Sequence, residues 1–143
     1  MSAETYVNAR VTRRFNASPE QVFDAWLEPE KVIEWMFPKG EIVRVEINQC
    51  VGGHFSFVDK RNGEEVDHTG EYLEIKQPNR LVFTWGIPAE SPDFDQVSIN
   101  IAPVENGSVL TLIHELHPDW AGYKSESENA WTIMLEAMDK TLS

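Results

Sequence analysis

The chain has 143 residues, with 24 acidic and 12 basic side chains, five tryptophans and a single cysteine. That length suits one domain (1–143) with a real core, and so aromatic a chain is not a disordered one. A net charge of -12 repels phosphate backbones and anionic headgroups, which argues against nucleic-acid and peripheral membrane partners.

The charge is uneven: residues 1–80 hold 10 basic and 14 acidic residues, and residues 81–143 hold 2 and 10. Cys50 has no second cysteine to pair with, so neither an internal disulfide nor a cysteine-rich metal site is expected. Met1 to Arg14 has no apolar run like a signal peptide, and no stretch approaches the roughly 20 apolar residues of a membrane span. The cytoplasm is the expected compartment, with no stable membrane insertion.

Tyr6 to Phe15 reads as a strand rich in Val, Thr and Arg. Ser18-Pro19-Glu20-Gln21 then predicts a helix start, with Ser18 as cap, Pro19 at the first helical position and Gln21 closing a capping box. Val22, Phe23 and Trp26 follow at helical spacing. Glu30 to Trp35 predicts a second short helix, ended by Pro38-Lys39-Gly40.

Six strands are predicted next. Glu41 to Asn48 alternates, and Gly52-Gly53 marks a turn or a close backbone approach. Gly53 to Arg61 and Glu64 to Ile75 flank Asn62-Gly63, a strong hairpin signal. Arg80 to Ile87 is a strand and Pro88 to Asp95 a polar loop. Gln96 to Glu105 and Ser108 to His117 flank a second turn at Asn106-Gly107. His117 to Lys124 reads as a loop. Ser125 to Leu142 then predicts a long helix, with Trp131, Met134, Leu135, Met138 and Leu142 on one face.

Hairpin turns fix register, and cross-strand partners share a face. A turn at Asn62-Gly63 pairs Arg61 with Glu64, Phe57 with His68 and Phe55 with Gly70. A turn over Lys76 to Asn79 puts Phe83 opposite Tyr72 and Trp85 opposite Gly70, so Gly70 lies between two large rings. Pairing Glu105 with Ser108 sets Ile101 opposite Leu112, Ile99 opposite His114 and Val97 opposite Leu116. One face then carries Phe55, Phe57, His68, Tyr72, Phe83, Trp85 and His114, while His54 points outward.

Several motifs, in this order and spacing, resemble the START-like (SRPBCC) superfamily. Within it they resemble homologues of the heat-shock protein 90 ATPase activator (Aha-type) C-terminal domain. They are Ser18-Pro19-Glu20-Gln21-Val22-Phe23 with Trp26, Pro29-Glu30 leading to Trp35, Val51-Gly52-Gly53-His54-Phe55, Thr69-Gly70-Glu71-Tyr72, Arg80 to Trp85, Leu110 to His114, and Trp131 with Leu135. The resemblance spans almost the whole chain. It implies an α+β helix-grip fold, a curved antiparallel sheet of about seven strands wrapped around the C-terminal helix, with a cavity between them. In that superfamily the cavity commonly takes lipids, sterols, polyketides or other apolar molecules. Here Ala130 stands where the family usually has Gly before the helix Trp, and its methyl narrows the space. Co-chaperone members carry a further N-terminal domain for which these 143 residues leave no room, so a chaperone partner, and with it the alternative of a single-domain co-chaperone-like or stress-related interaction protein, rests on resemblance alone.

The expected ligand is small and apolar or amphipathic. Its expected contacts are Trp35, Phe55, Phe57, His68, Tyr72, Phe83, Trp85, Ile99, Leu112, His114, Trp131, Met134, Leu135 and Met138. Trp35, Phe37 and Trp120 are read as rings near an entrance. An alternative is an enzyme of the cyclase, aromatase or hydratase type with His114, His68 and Tyr72 as acid–base groups. Glu74, near the sheet end, would pair with a histidine as acid and base if it faced inward; a solvated place at the mouth is the favoured reading. His114-Glu115-Leu116-His117 lacks the helical spacing of a zinc motif, and there is no phosphate loop and no nucleophile elbow, so no metal or cofactor is expected.

Overall fold

The computed structural model describes residues 7–38, 40–90 and 94–142, without the side chain of residue 119. Tyr6, the first residue of the expected leading strand, and Lys39 lie outside that set. Seven strands form one antiparallel sheet: β1 (Val7–Phe15), β2 (Glu41–Ile47), β3 (His54–Arg61), β4 (Glu64–Lys76), β5 (Arg80–Trp85), β6 (Asp95–Val104) and β7 (Gly107–Leu116). Their spatial order is β1-β7-β6-β5-β4-β3-β2. Two short helices, α1 (Pro19–Leu27) and α2 (Pro29–Trp35), carry the chain from one edge of the sheet to the other, and α3 (Lys124–Leu142) closes it. This is the expected α+β helix-grip fold.

Local chemistry explains the starts and turns. Ser18 Oγ accepts from the Gln21 amide at 3.2 Å, and Gln21 Oε1 accepts from the Ser18 amide at 3.0 Å, so the capping box is made. Asn62 and Gly63 both take positive φ, 52° and 83°, as a tight hairpin turn with matching twist requires. The β3–β4 register follows: Phe57 opposes His68 and Phe55 opposes Gly70. The expected loop after His117 is instead a 3₁₀ helix, Pro118–Tyr123, which runs into α3.

Two register expectations are corrected. β6 and β7 pair Ile101 with Leu110, Ile99 with Leu112 and Val97 with His114, two residues from the expected register. The turn is Glu105-Asn106, with Asn106 supplying the positive φ of 60°. Gly107 is already in the strand, because a Cβ there would lie 2.1 Å from the Phe15 carbonyl oxygen. A slip of two preserves the face, so the inward residues stay inward.

In the β4–β5 hairpin Tyr72 does oppose Phe83, but Lys76 pairs with Arg80, and a bulge at Leu73 absorbs the difference. The bulge reverses which side the strand end presents. Ile75 packs on the core, and Glu74 turns to the surface. There Lys76 and Arg80 hydrogen-bond it and hold its carboxyl below the usual value. Glu74 is therefore not an inward carboxylate.

The core lies between the inner face of the sheet and the helices. Ile99, Leu110, Leu112, Leu135 and Met138 are fully buried. α3 lies along β1: Arg13 pairs with Asp139 at 2.8 Å, and the Glu128 carboxylate accepts the Arg10 backbone N–H at 2.9 Å. At the other edge β2 carries Glu41, Arg44 and Glu46 and has its own register break between Ile42 and Arg44.

Candidate functional site

Alternation along the strands builds an aromatic wall. Phe55 and Phe57 of β3 stack at 4.7 Å between ring centroids, and Trp85 of β5 lies 6.0 Å from Phe55. The helices answer with rings of their own. Trp131 of α3 is 5.2 Å from Trp85 and 6.0 Å from Trp26 of α1, and Trp26 meets Trp35 edge-on at 4.7 Å. The middle of the sheet–helix space is thus filled by side chains, with Trp131 at 2% exposure.

Open volume lies toward one end of the sheet. A cleft of about 480 Å³ opens where β5 and β7 finish and β6 begins. Trp85, Trp120 and Tyr123 supply its rings, and Glu90, Asp95 and Glu126 its carboxylates. A smaller cleft of about 250 Å³ lies between the α2–β2 loop and α3. Phe37, Pro38, Ile133 and Met134 give it apolar walls, with Gly40 and Asp59 also lining it. Arg61 and Ala130 border both clefts, so the Ala130 methyl sits where the two meet.

His114 edges the larger cleft with both ring nitrogens engaged. Trp131 Nε1 donates to Nδ1 at 3.0 Å, and an indole nitrogen can only donate. Nδ1 is therefore the acceptor and Nε2 carries the hydrogen, which it donates to Asp95 Oδ2 at 2.9 Å. The ring is oriented from both sides by protein groups.

His68 sits deeper, at 3% exposure. Its Nδ1 is 3.2 Å from the Phe57 carbonyl, which can only accept, so Nδ1 bears the hydrogen. Burial pushes its pKa down, against the opposing pull of Asp59. Phe37 covers the ring at 4.3 Å from a left-handed backbone (φ 52°) that non-glycine residues seldom adopt. Burial raises the Tyr72 hydroxyl far above its ordinary value, so it stays protonated.

Asp59 has no exposed surface. Its Oδ2 accepts from Arg61 Nε at 2.6 Å, and the Arg61 guanidinium lies 5.4 Å from the Phe37 ring centre. Its Oδ1 accepts no hydrogen bond from any described group; His68 Nδ1, turned to Phe57, stays 3.6 Å away.

Of the expected contacts, Trp85 and His114 line the larger cleft and Met134 the smaller. Phe55, Phe57, His68, Tyr72, Phe83, Ile99, Leu112, Trp131, Leu135 and Met138 are buried behind them. Among the entrance rings, Trp120 and Phe37 border the clefts. Trp35 is fully buried instead, its Nε1 donating to the Ala25 carbonyl at 2.8 Å. Sequence reasoning missed Asp59 and Arg61. The alternation that placed Phe55 and Phe57 inward, carried two and four residues further, reaches both. Among the described residues no three His, Cys, Asp or Glu side chains come together as metal ligands, and no helix is long and apolar enough to cross a membrane.

A family model described as "Activator of Hsp90 ATPase homolog 1-like protein" matches residues 16–143. Solved structures share the fold. A protein of Nitrosomonas europaea superposes with a TM-score of 0.84 at 19% identity, over 95% of this chain and 94% of its own. One from Chromobacterium violaceum gives 0.83 at 22% identity, over 94% and 96%. An AHSA1-like protein from Aeromonas hydrophila gives 0.80 at 17% identity, over 94% and 90%. At these identities the likeness speaks for the fold alone. No curated protein matches the chain by sequence.

Proposed function

Because the chain belongs to the Activator of Hsp90 ATPase homolog 1-like family over residues 16–143, we propose that it binds a small apolar or amphipathic molecule at the open end of its sheet–helix space. The observation that carries this reading is the larger cleft. Its volume of about 480 Å³ falls within the roughly 300–1,000 Å³ of small-molecule sites. Its rings offer apolar contact, and polar groups stand beside them to orient a ligand. Trp120 and Tyr123 are 39% and 49% exposed, so this rim leaves aromatic surface uncovered.

The acid–base alternative draws less support. His114 has both nitrogens committed to Trp131 and Asp95, and the Tyr72 hydroxyl holds its proton. Binding needs neither group to be free.

Thermal-shift and native mass spectrometric titration with short acyl chains and aromatic metabolites tests the reading. Expected is a saturable rise in Tm with one equivalent bound, and about tenfold weaker binding in Trp120→Ala, since an aromatic anchor contributes on the order of 1–2 kcal/mol. If no apolar probe binds, or if Trp120→Ala and Ala130→Trp both bind as the parent does, the proposal falls.

A further inference from the structure

We propose that the ligand carries a protonated amine on its apolar body and delivers it to Asp59. This names the ligand chemistry of the site proposed above and rests on that reading. Asp59 is fully buried, yet Oδ1 accepts nothing from the described residues. A carboxylate oxygen only accepts, and an unfilled buried acceptor is costly and uncommon. His68 Nδ1 lies 3.6 Å away and is already turned to the Phe57 carbonyl. No described residue supplies the missing donor, and Asp59 lines the smaller cleft.

The floor of that cleft is kept thin over the carboxylate. A Cβ on Gly40 would lie 2.8 Å from Asp59 Oδ2. Arg61 is the other cover; its side chain is half exposed and holds Asp59 through Nε. Phe37, Pro38, Ile133 and Met134 give the donor an apolar sleeve.

Charge selects the kind of donor. Across the shared border the larger cleft adds Glu90, Asp95 and Glu126, and among the described residues Arg61 is the one Lys or Arg lining either cleft. Glu90 and Glu126 have no ion pair among the described residues. An anionic headgroup placed on Arg61 would face these carboxylates, whereas an ammonium is drawn to them and to the faces of Trp85, Trp120 and Tyr123. An aromatic or aliphatic amine is the class that satisfies Asp59, the rings and the field together.

Phenylbutylamine, phenylbutanol and phenylbutyrate share one body and differ in headgroup. Calorimetric titration at pH 7 into the wild type, Asp59→Asn, the rim variant Glu90→Gln/Glu126→Gln and the cleft-filling Ala130→Trp tests the assignment. Expected is one equivalent of amine bound, with the carboxylate weaker by about tenfold or more, as like-charge juxtaposition dictates. Asp59→Asn should erase the preference for amine over alcohol. The rim variant, exposed and so not at risk of misfolding, should narrow the amine–carboxylate gap by a few fold. Ala130→Trp should abolish binding. Phenylbutyrate binding as tightly as the amine overturns the amine assignment and leaves the ligand-binding reading standing. So does a headgroup preference unchanged in both Asp59→Asn and the rim variant. Failure of all three probes overturns both. Several equivalents of amine, unaffected by Ala130→Trp, would be adsorption to an acidic surface and would also overturn the assignment.

Discussion

Trp131 donates its indole N–H to Nδ1 of His114 at 3.0 Å, inside the core. This bond joins the middle of α3 to β7 and fixes which nitrogen of the histidine carries hydrogen. Deleting the acceptor strands a buried donor, which costs about 1–3 kcal/mol, while deleting both partners removes that penalty. His114→Phe should therefore destabilise more in the parent than in a Trp131→Phe background. A urea-denaturation double-mutant cycle should give a coupling of about 1 kcal/mol; a coupling near zero would contradict the bond.

The two hairpins make three substitutions differ in cost. Gly107→Ala should cost at least about 2 kcal/mol, because the new methyl meets the fixed Phe15 carbonyl oxygen. Gly63→Ala has open space around it and should cost only the left-handed backbone penalty, about 1–2 kcal/mol. Asn106→Gly should be neutral or slightly stabilising, since Asn106 already holds a positive φ. Chemical denaturation of the three variants settles the order; an Asn106-Gly107 turn would make Gly107→Ala the mild one.

Gly70 should tolerate replacement least. A Cβ there would fall 1.8 Å from the Thr84 carbonyl oxygen and 2.6 Å from the Phe55 ring. Ring neighbours are only part of the reason, because the closest obstacle is backbone of β5. Gly70→Ala should lose at least about 3 kcal/mol or fail to fold, on the overpacking scale. Soluble, native-like Gly70→Ala at the parental Tm would refute this packing.

Stability should fall with acid through His68. Burial lowers its pKa in the folded protein below the ordinary 6.5. Between those two values the unfolded chain binds a proton that the folded chain does not, so stability rises with pH there. The contribution is intact above pH 6.5 and is lost as the pH drops beneath it, by up to about 1.4 kcal/mol per pH unit. Asp59 opposes the shift and Arg61 reinforces it. Tm measured from pH 7.5 to 5 should decline less in His68→Asn than in the parent. Parallel slopes would mean that His68 is not the titrating group.

The wall and its face were legible in the sequence because alternation has period two, and an error of two residues leaves the face unchanged. The first hairpin was legible in full, since Asn62 and Gly63 both take the backbone conformation that makes that pair a turn signal. The second misled, because Gly107 is a glycine for want of space beside Phe15 and not for its dihedral angle. The Leu73 bulge left no mark in the pattern, and it decided between the inward and the solvated reading of Glu74. The clefts were the least legible part. They arise where a loop, a 3₁₀ helix and the first turns of α3 converge on strand ends, and no periodic signal describes that convergence. Asp59 was within reach of the register argument, but a carboxylate inside an apolar face runs against the pattern that defines the face.

Both edge strands of the open sheet are exposed to the same hazard, since unpaired backbone groups invite a strand from another molecule. β1 meets it with α3, whose Glu128 occupies the Arg10 N–H that such a strand would need. β2 meets it with alternating charge and a break in register at Val43. Removing the guard at one edge should turn a monodisperse solution into one that forms intermolecular sheet. Glu128→Ala should therefore leave the Arg10 N–H open to a strand of a second molecule.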